Sequence, residues 1–240
     1  MKFFNKQRFK IFKGNIFKKY LAYAFGEIIL VVIGILIALG ISNWNEKRKN
    51  NNQILQLKNR VLNQVNSDLA VIEEFQKDLD TLQQEYLLIL DRDYDSSMVK
   101  SGSQIASLLL QVNTISIDNS VMTMIDGFQL NDNDISRGLI SLSGLYKLYL
   151  TDLNDIEKII VDSTTENLKE IEKNESWYAD FITDFKCRNE CINYLRFNEG
   201  HRARMASLRF LYYNGYGGIV DNLYSDLIES KKSLIATNIN

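Results

Sequence analysis

The 240-residue chain has no proline, one histidine, two cysteines and twelve glycines. Without proline, no position forfeits a backbone donor or clashes with the preceding turn, so long uninterrupted helices are expected. That predicts an all-α fold. With His201 as the lone histidine, a serine or cysteine hydrolase can be assembled in one way only, and the chain has no Gly-x-Ser-x-Gly elbow. We read His201 as a surface side chain in a polar loop.

Other chemistries fail on spacing. Cys187, Cys191 and His201 form C-x3-C-x9-H, which matches no common zinc pattern. Gly215, Gly217 and Gly218 are not followed by Lys-Ser or Lys-Thr, so no phosphate loop is expected. LNDNDIS, Leu130 to Ser136, lacks the turn glycine and terminal glutamate of a calcium loop and reads as helix capping. No catalytic residue, metal site or cofactor is predicted. Eleven aromatic residues fall between Trp177 and Tyr224, at spacings that suit a helical core.

Charge is unevenly distributed behind a net value of −2. Residues 1–19 carry Lys2, Lys6, Arg8, Lys10, Lys13, Lys18 and Lys19 and no acid, a basic tail. Beyond Asn45 there are 21 basic and 29 acidic residues, which gives nucleic acid no reason to bind.

Between them, YLAYAFGEIILVVIGILIALGIS, Tyr20 to Ser42, holds 23 residues with one charge. As a helix it would run about 34 Å, enough for a hydrocarbon core of about 30 Å. A transmembrane helix is therefore expected over 20–43, with Tyr20, Tyr23 and Trp44 as an aromatic belt. The seven tail cations outweigh Lys47, Arg48 and Lys49, so tail 1–19 is expected in the cytoplasm and 44–240 across the membrane. Ala38-Leu39-Gly40 offers small residues to a signal peptidase, but the apolar run is long for a signal peptide and contains Glu27.

Within the span, Ala22, Gly26, Gly34 and Ala38 share a stripe of four-residue spacing, broken at Leu30 and continued by Ser42, through which two helices can pack. Glu27 is an intramembrane ionisable group near the cytoplasmic end, read as an interfacial or helix-pairing glutamate. The bilayer and either a protein partner or a second copy are the expected partners.

GEIILVVIGILIAL and NWNE, within Lys19 to Lys49, resemble the N-terminal signature of an uncharacterised family of bacterial single-pass proteins found mainly in Bacteroidota. Gly40 departs from the glutamine usual there. Looser likeness continues through Ser120 to Tyr146 and the closing amphipathic stretch. The resemblance implies an inner-membrane anchor with an α-helical periplasmic domain, and no known activity.

For that domain, apolar residues separated by threes and fours from Leu62 to Ile89 predict a coiled-coil-like helix over 46–91, with nothing to stop the membrane helix continuing into it as a stalk. Shorter helices are expected over 104–112 and over 119–126, the latter closed by Gly127. A second long helix, capped at Asp132 or Asn133, is expected over 133–185 and antiparallel to the first. A polar interruption, then helices over 203–213 and 219–236 separated by glycines, would complete an elongated bundle. Cysteines four apart on a regular helix have poor bridging geometry, so a Cys187–Cys191 disulfide needs a local irregularity; bridged and free states both stay open.

The functional expectation is a non-catalytic interaction or scaffold module on a membrane anchor. The alternative is a ligand-sensing ectodomain signalling through a separate membrane partner, since a 19-residue tail holds no output domain.

Overall fold

The computed structural model describes residues 15–91 and 108–237. All the regular elements among them are helical, and the fold is all-α. The chain divides into two units, Met1–Leu55 and Gln56–Asn240. Helix α1, Asn15–Leu90, is a single 76-residue helix that begins in the first and ends in the second. The tail segment 1–14 lies outside the described residues, and Asn15–Lys19 are already helical. In the first unit every residue from Lys18 to Lys49 is exposed.

In the second unit α1 is followed by α2 (Ser120–Asp126), α3 (Asp134–Asn174), α4 (Tyr178–Asp184), α5 (Asn189–Phe197) and α6 (Glu199–Phe210), then a π-helical turn (Leu211–Tyr216) and α7 (Gly217–Ala236). The apolar stripe of α1 is buried at three- and four-residue spacing through Val61, Val65, Leu69, Ile72, Phe75, Leu79, Leu82 and Tyr86. On α3 the buried face runs Ile135, Leu139, Leu142, Tyr146, Leu153, Ile160 and Ile171, and on α7 Val220, Leu223, Leu227 and Leu234. These three faces form the core.

Cross-links fix the register. Lys58 Nζ donates to the Thr237 carbonyl at 2.8 Å, Tyr224 Oη to Glu73 at 2.5 Å and Gln76 to Asp221 at 2.6 Å, so α7 runs antiparallel to α1. Leu234 lies against Gly138, Asp226 accepts from Tyr149 Oη at 2.6 Å and Glu157 accepts from Tyr216 Oη, so α7 is antiparallel to α3 as well. A Cβ on Gly138 would stand 2.8 Å from Leu234 Cδ2, which is why the two helices can approach so closely there. The long helices α1 and α3 are consequently parallel, not antiparallel. What permits this is the long return between them: part of it is pinned beside α1, where the Tyr212 and Tyr216 hydroxyls accept from Asn113 N and Ile115 N at 3.0 and 2.8 Å.

Several boundaries differ from the sequence pattern. The helix expected over 133–185 starts where the Asn133 side chain caps Ser136 N at 2.8 Å, but ends at Asn174 with Glu175 extended. Restarting at Tyr178 turns Trp177 and Phe181 inward, with the indole N–H donating to Glu175 at 2.9 Å. α4 then stops at Phe185, whose φ of 54° is left-handed and whose N–H returns to the Phe181 carbonyl. The polar stretch read as an interruption forms α5 and the first half of α6. The glycines from 215 to 218 do not separate helices: helical structure runs from Glu199 to Ala236, with the π turn absorbing the register change. Of the helix expected over 104–112, residues 108–110 are helical, Gln111 and Val112 are irregular, and 104–107 lie outside the described residues.

Inside the core Tyr146 Oη donates to Asp68 Oδ2 at 2.5 Å, and Gln64 donates to the other carboxylate oxygen at 3.0 Å. Burial raises the Asp68 carboxyl above the ordinary carboxylate range, and the two donors pull it partly back. Tyr146→Phe removes the closer donor and leaves a buried acceptor short of a partner, at a cost of about 2 kcal/mol. The urea midpoint of the full-length protein in micelles at pH 7 should fall accordingly; an unchanged midpoint would show that this bond adds nothing.

Candidate functional site

Two places in the described structure stand apart from ordinary packing. The first is the exposed apolar length of α1. Among the described residues it holds the one helix long and apolar enough to cross a membrane, and none of its apolar window is buried. Leu30 is 73% exposed and Ile41 62%, figures that would be costly in water over a sleeve of this length. Ala22, Gly26, Gly34, Ala38 and Glu27 all lie on this exposed surface. Apart from the helix's own backbone and the chain neighbours, no atom comes within 4 Å of where a Cβ would stand on Gly26 or Gly34, so the stripe is open at both glycines. Past the apolar run, the Arg48 guanidinium sits 5.9 Å from the Trp44 ring.

The second place is buried. His201 is not a surface residue in a loop: it lies in the first turn of α6 and is fully enclosed. The Asn198 side chain caps this helix by accepting from His201 N at 2.8 Å. His201 Nδ1 is 3.2 Å from Asn167 Oδ1 of α3, and that oxygen also accepts from Arg204 Nε at 2.9 Å. Since a guanidinium can only donate, this Asn167 atom is the carbonyl oxygen, and Nδ1 must carry the ring proton. Arg204 reaches on to the Tyr194 hydroxyl at 3.0 Å, and the Tyr194 ring centroid is 5.2 Å from the imidazole and 5.6 Å from Trp177. The remaining imidazole nitrogen, Nε2, is buried with no hydrogen-bond partner.

Electrostatics follow from that enclosure. Burial first, then the Arg204 and Arg202 charges, lowers His201 from its ordinary 6.5 to about 4, so the ring is neutral at pH 7. Burial raises the Tyr194 hydroxyl, offset in part by Arg204. Arg202, whose charge also acts on the imidazole, closes the end of α1, donating to the Ile89, Leu90 and Arg196 carbonyls at 3.4, 2.5 and 3.1 Å. These groups hold one another; the cluster presents no nucleophile beside a base. Among the described residues no set of three or more His, Cys, Asp or Glu is arranged to hold a metal.

Sequence reasoning missed Asn167, the side chain that joins His201 to Arg204. A signal existed for Asn167: it falls in the buried series Ile160, Thr164, Asn167, Ile171, where an amide needs a buried partner.

Cys187 and Cys191 are bridged, with their Cα atoms 5.2 Å apart. Cys187 precedes α5, which begins at Asn189, so the pair is not held at regular helical spacing. Cys191 is fully buried beside Tyr194 and Leu195 on the same helix. The bridge closes a loop of only about five residues, worth roughly 2 kcal/mol in the chain-entropy account. Reduction should therefore lower the urea midpoint modestly and speed amide exchange chiefly across 185–191; global unfolding on reduction would contradict this.

No curated protein and no solved structure matches the chain. Residues 27–123, from Glu27 on the exposed apolar helix to Thr123 in α2, match the model of a family of unknown function (DUF6090).

Proposed function

We propose that the chain is a single-pass protein of the bacterial inner membrane, with its N-terminus in the cytoplasm and its helical domain in the periplasm, acting as a non-catalytic interaction or scaffold module. One observation carries the reading: the apolar length of α1 finds no protein to cover it, and a bilayer is the solvent that suits it. The seven tail cations supply the orientation. The Cys187–Cys191 bridge suits an oxidising compartment such as the periplasm. The non-catalytic part is supported by His201, Tyr146 and Asp68, whose polar atoms serve packing. A protein partner or a second copy would meet the membrane helix on the open stripe of Ala22, Gly26, Gly34 and Ala38, with Glu27 beside it.

The bridge also reports topology. In cells, the native chain should resist carbonate extraction and its cysteines should block maleimide labelling until a reductant is added. Replacing the seven tail cations with Gln or Asn should yield a fraction with free, readily labelled thiols. Extraction into the soluble phase would remove the anchor, and free thiols in the native chain would remove the periplasmic assignment.

A further inference from the structure

The cluster around His201 has the parts of an acid-sensitive latch. A fully enclosed imidazole is bound through one nitrogen only, and the other has neither protein partner nor surface. Neutral, the ring tolerates this. A second ring proton would add a charge within the field of the Arg204 and Arg202 guanidiniums and give Nε2 a donor with nothing to accept it.

The surrounding groups offer no compensation. From its own helix α6, Arg202 and Arg204 face it with like charge, and Glu199 at the helix start is exposed. From α5 comes the Tyr194 hydroxyl, already accepting from Arg204. From α3 come Asn167, whose oxygen serves both Nδ1 and Arg204, and Glu170, whose carboxylate accepts from Asn174 at 2.7 Å. Between α3 and α4, Glu175 accepts from Trp177. Both carboxylates act on Tyr194 rather than on the imidazole. α1 contributes the Ile89 and Leu90 carbonyls, and these are engaged by Arg202.

We propose that protonation of His201 expels the imidazole from between α3 and α5, and that α6, carrying the adjacent Arg202, then releases the end of α1. The sign follows from the direction of the proton equilibrium. The ring binds its proton less readily in the folded domain than in an unfolded chain, so its contribution to stability is complete above the ordinary value near 6.5. It is lost as pH falls toward about 4. Asp68, raised by burial, has the opposite dependence and would not imitate the effect.

Because His201 is the only histidine, the test can be read on one side chain. The full chain, in lipid nanodiscs and labelled with 15N-histidine, is followed from pH 7.5 to 4 by the imidazole nitrogen shifts and by hydrogen exchange corrected for intrinsic rate. The latch predicts an Nδ1–H tautomer at pH 7. It also predicts protonation below pH 6 and, in the same step, a reversible increase of tenfold or more in exchange across 189–210 and 87–90. His201→Gln keeps a donor for Asn167 without a titrating group and should remove the acid response. A ring that titrates at 6.5 or above with exchange unchanged would overturn the proposal, as would an equal acid response in His201→Gln. If that variant fails to fold at pH 7, the paired measurements on the native chain decide alone.

Discussion

The register of α7 against its two long neighbours is the constraint from which most of the domain follows. α7 is antiparallel to α1 through Lys58, Glu73 and Gln76, and antiparallel to α3 through Gly138, Tyr149 and Glu157. Two helices that oppose a common third must be parallel to each other, and parallel helices cannot be joined by a tight turn. The chain therefore spends the stretch between Leu90 and Asp134 on a return, and Tyr212 and Tyr216 hold part of it in place. The π turn is relevant here: it lets a continuous helix present both tyrosines to the return while α6 and α7 keep their own buried faces.

Hydrophobic burial alone would leave this arrangement under-determined, because a Leu- and Ile-rich stripe can slide by a turn at little cost. Polar contacts at the seams remove that freedom. Asp68 with Tyr146 and Asn167 with His201 and Arg204 are each satisfied in one register and unsatisfied in the next. The stability they contribute is modest, since each buried polar group first loses its hydration. Their weight lies in the penalty a shifted packing would carry, and that penalty favours a single structure.

What was legible in the sequence was what depends on local periodicity and on absences. The missing prolines allowed α1, the three- and four-residue spacing marked its buried face, and Asn133 marked the start of α3. The apolar run from Tyr20 to Ser42 was equally plain. The break at Asn174 was not, because the sequence there contains neither proline nor glycine and the reason for the break is tertiary: Trp177 and Phe181 gain burial by turning in. The burial of His201 was hidden for the same reason. Its neighbours in sequence are polar, and only packing reveals that Arg202 and Arg204 are occupied with carbonyls and an amide rather than with water. The glycines misled because glycine permits a helix end without requiring one, and here Gly215 allows close packing instead: a Cβ there would stand 3.1 Å from Ile156 Cδ1.

The same accounting bears on function. A reaction centre needs groups kept unsatisfied and accessible so that substrate can complete them. In the described domain several deeply buried titratable side chains are completed by the protein itself: Tyr146 by Asp68, Tyr216 by Glu157 and Ile115 N, Tyr212 by Asn113 N. His201 Nε2 is not completed, and it is enclosed and so beyond the reach of a substrate. A group that is incomplete but inaccessible responds to the one species small enough to arrive, the proton. On the latch proposed above, a domain whose single histidine sits there, one residue from the side chain that closes the end of α1, changes its packing with acidity.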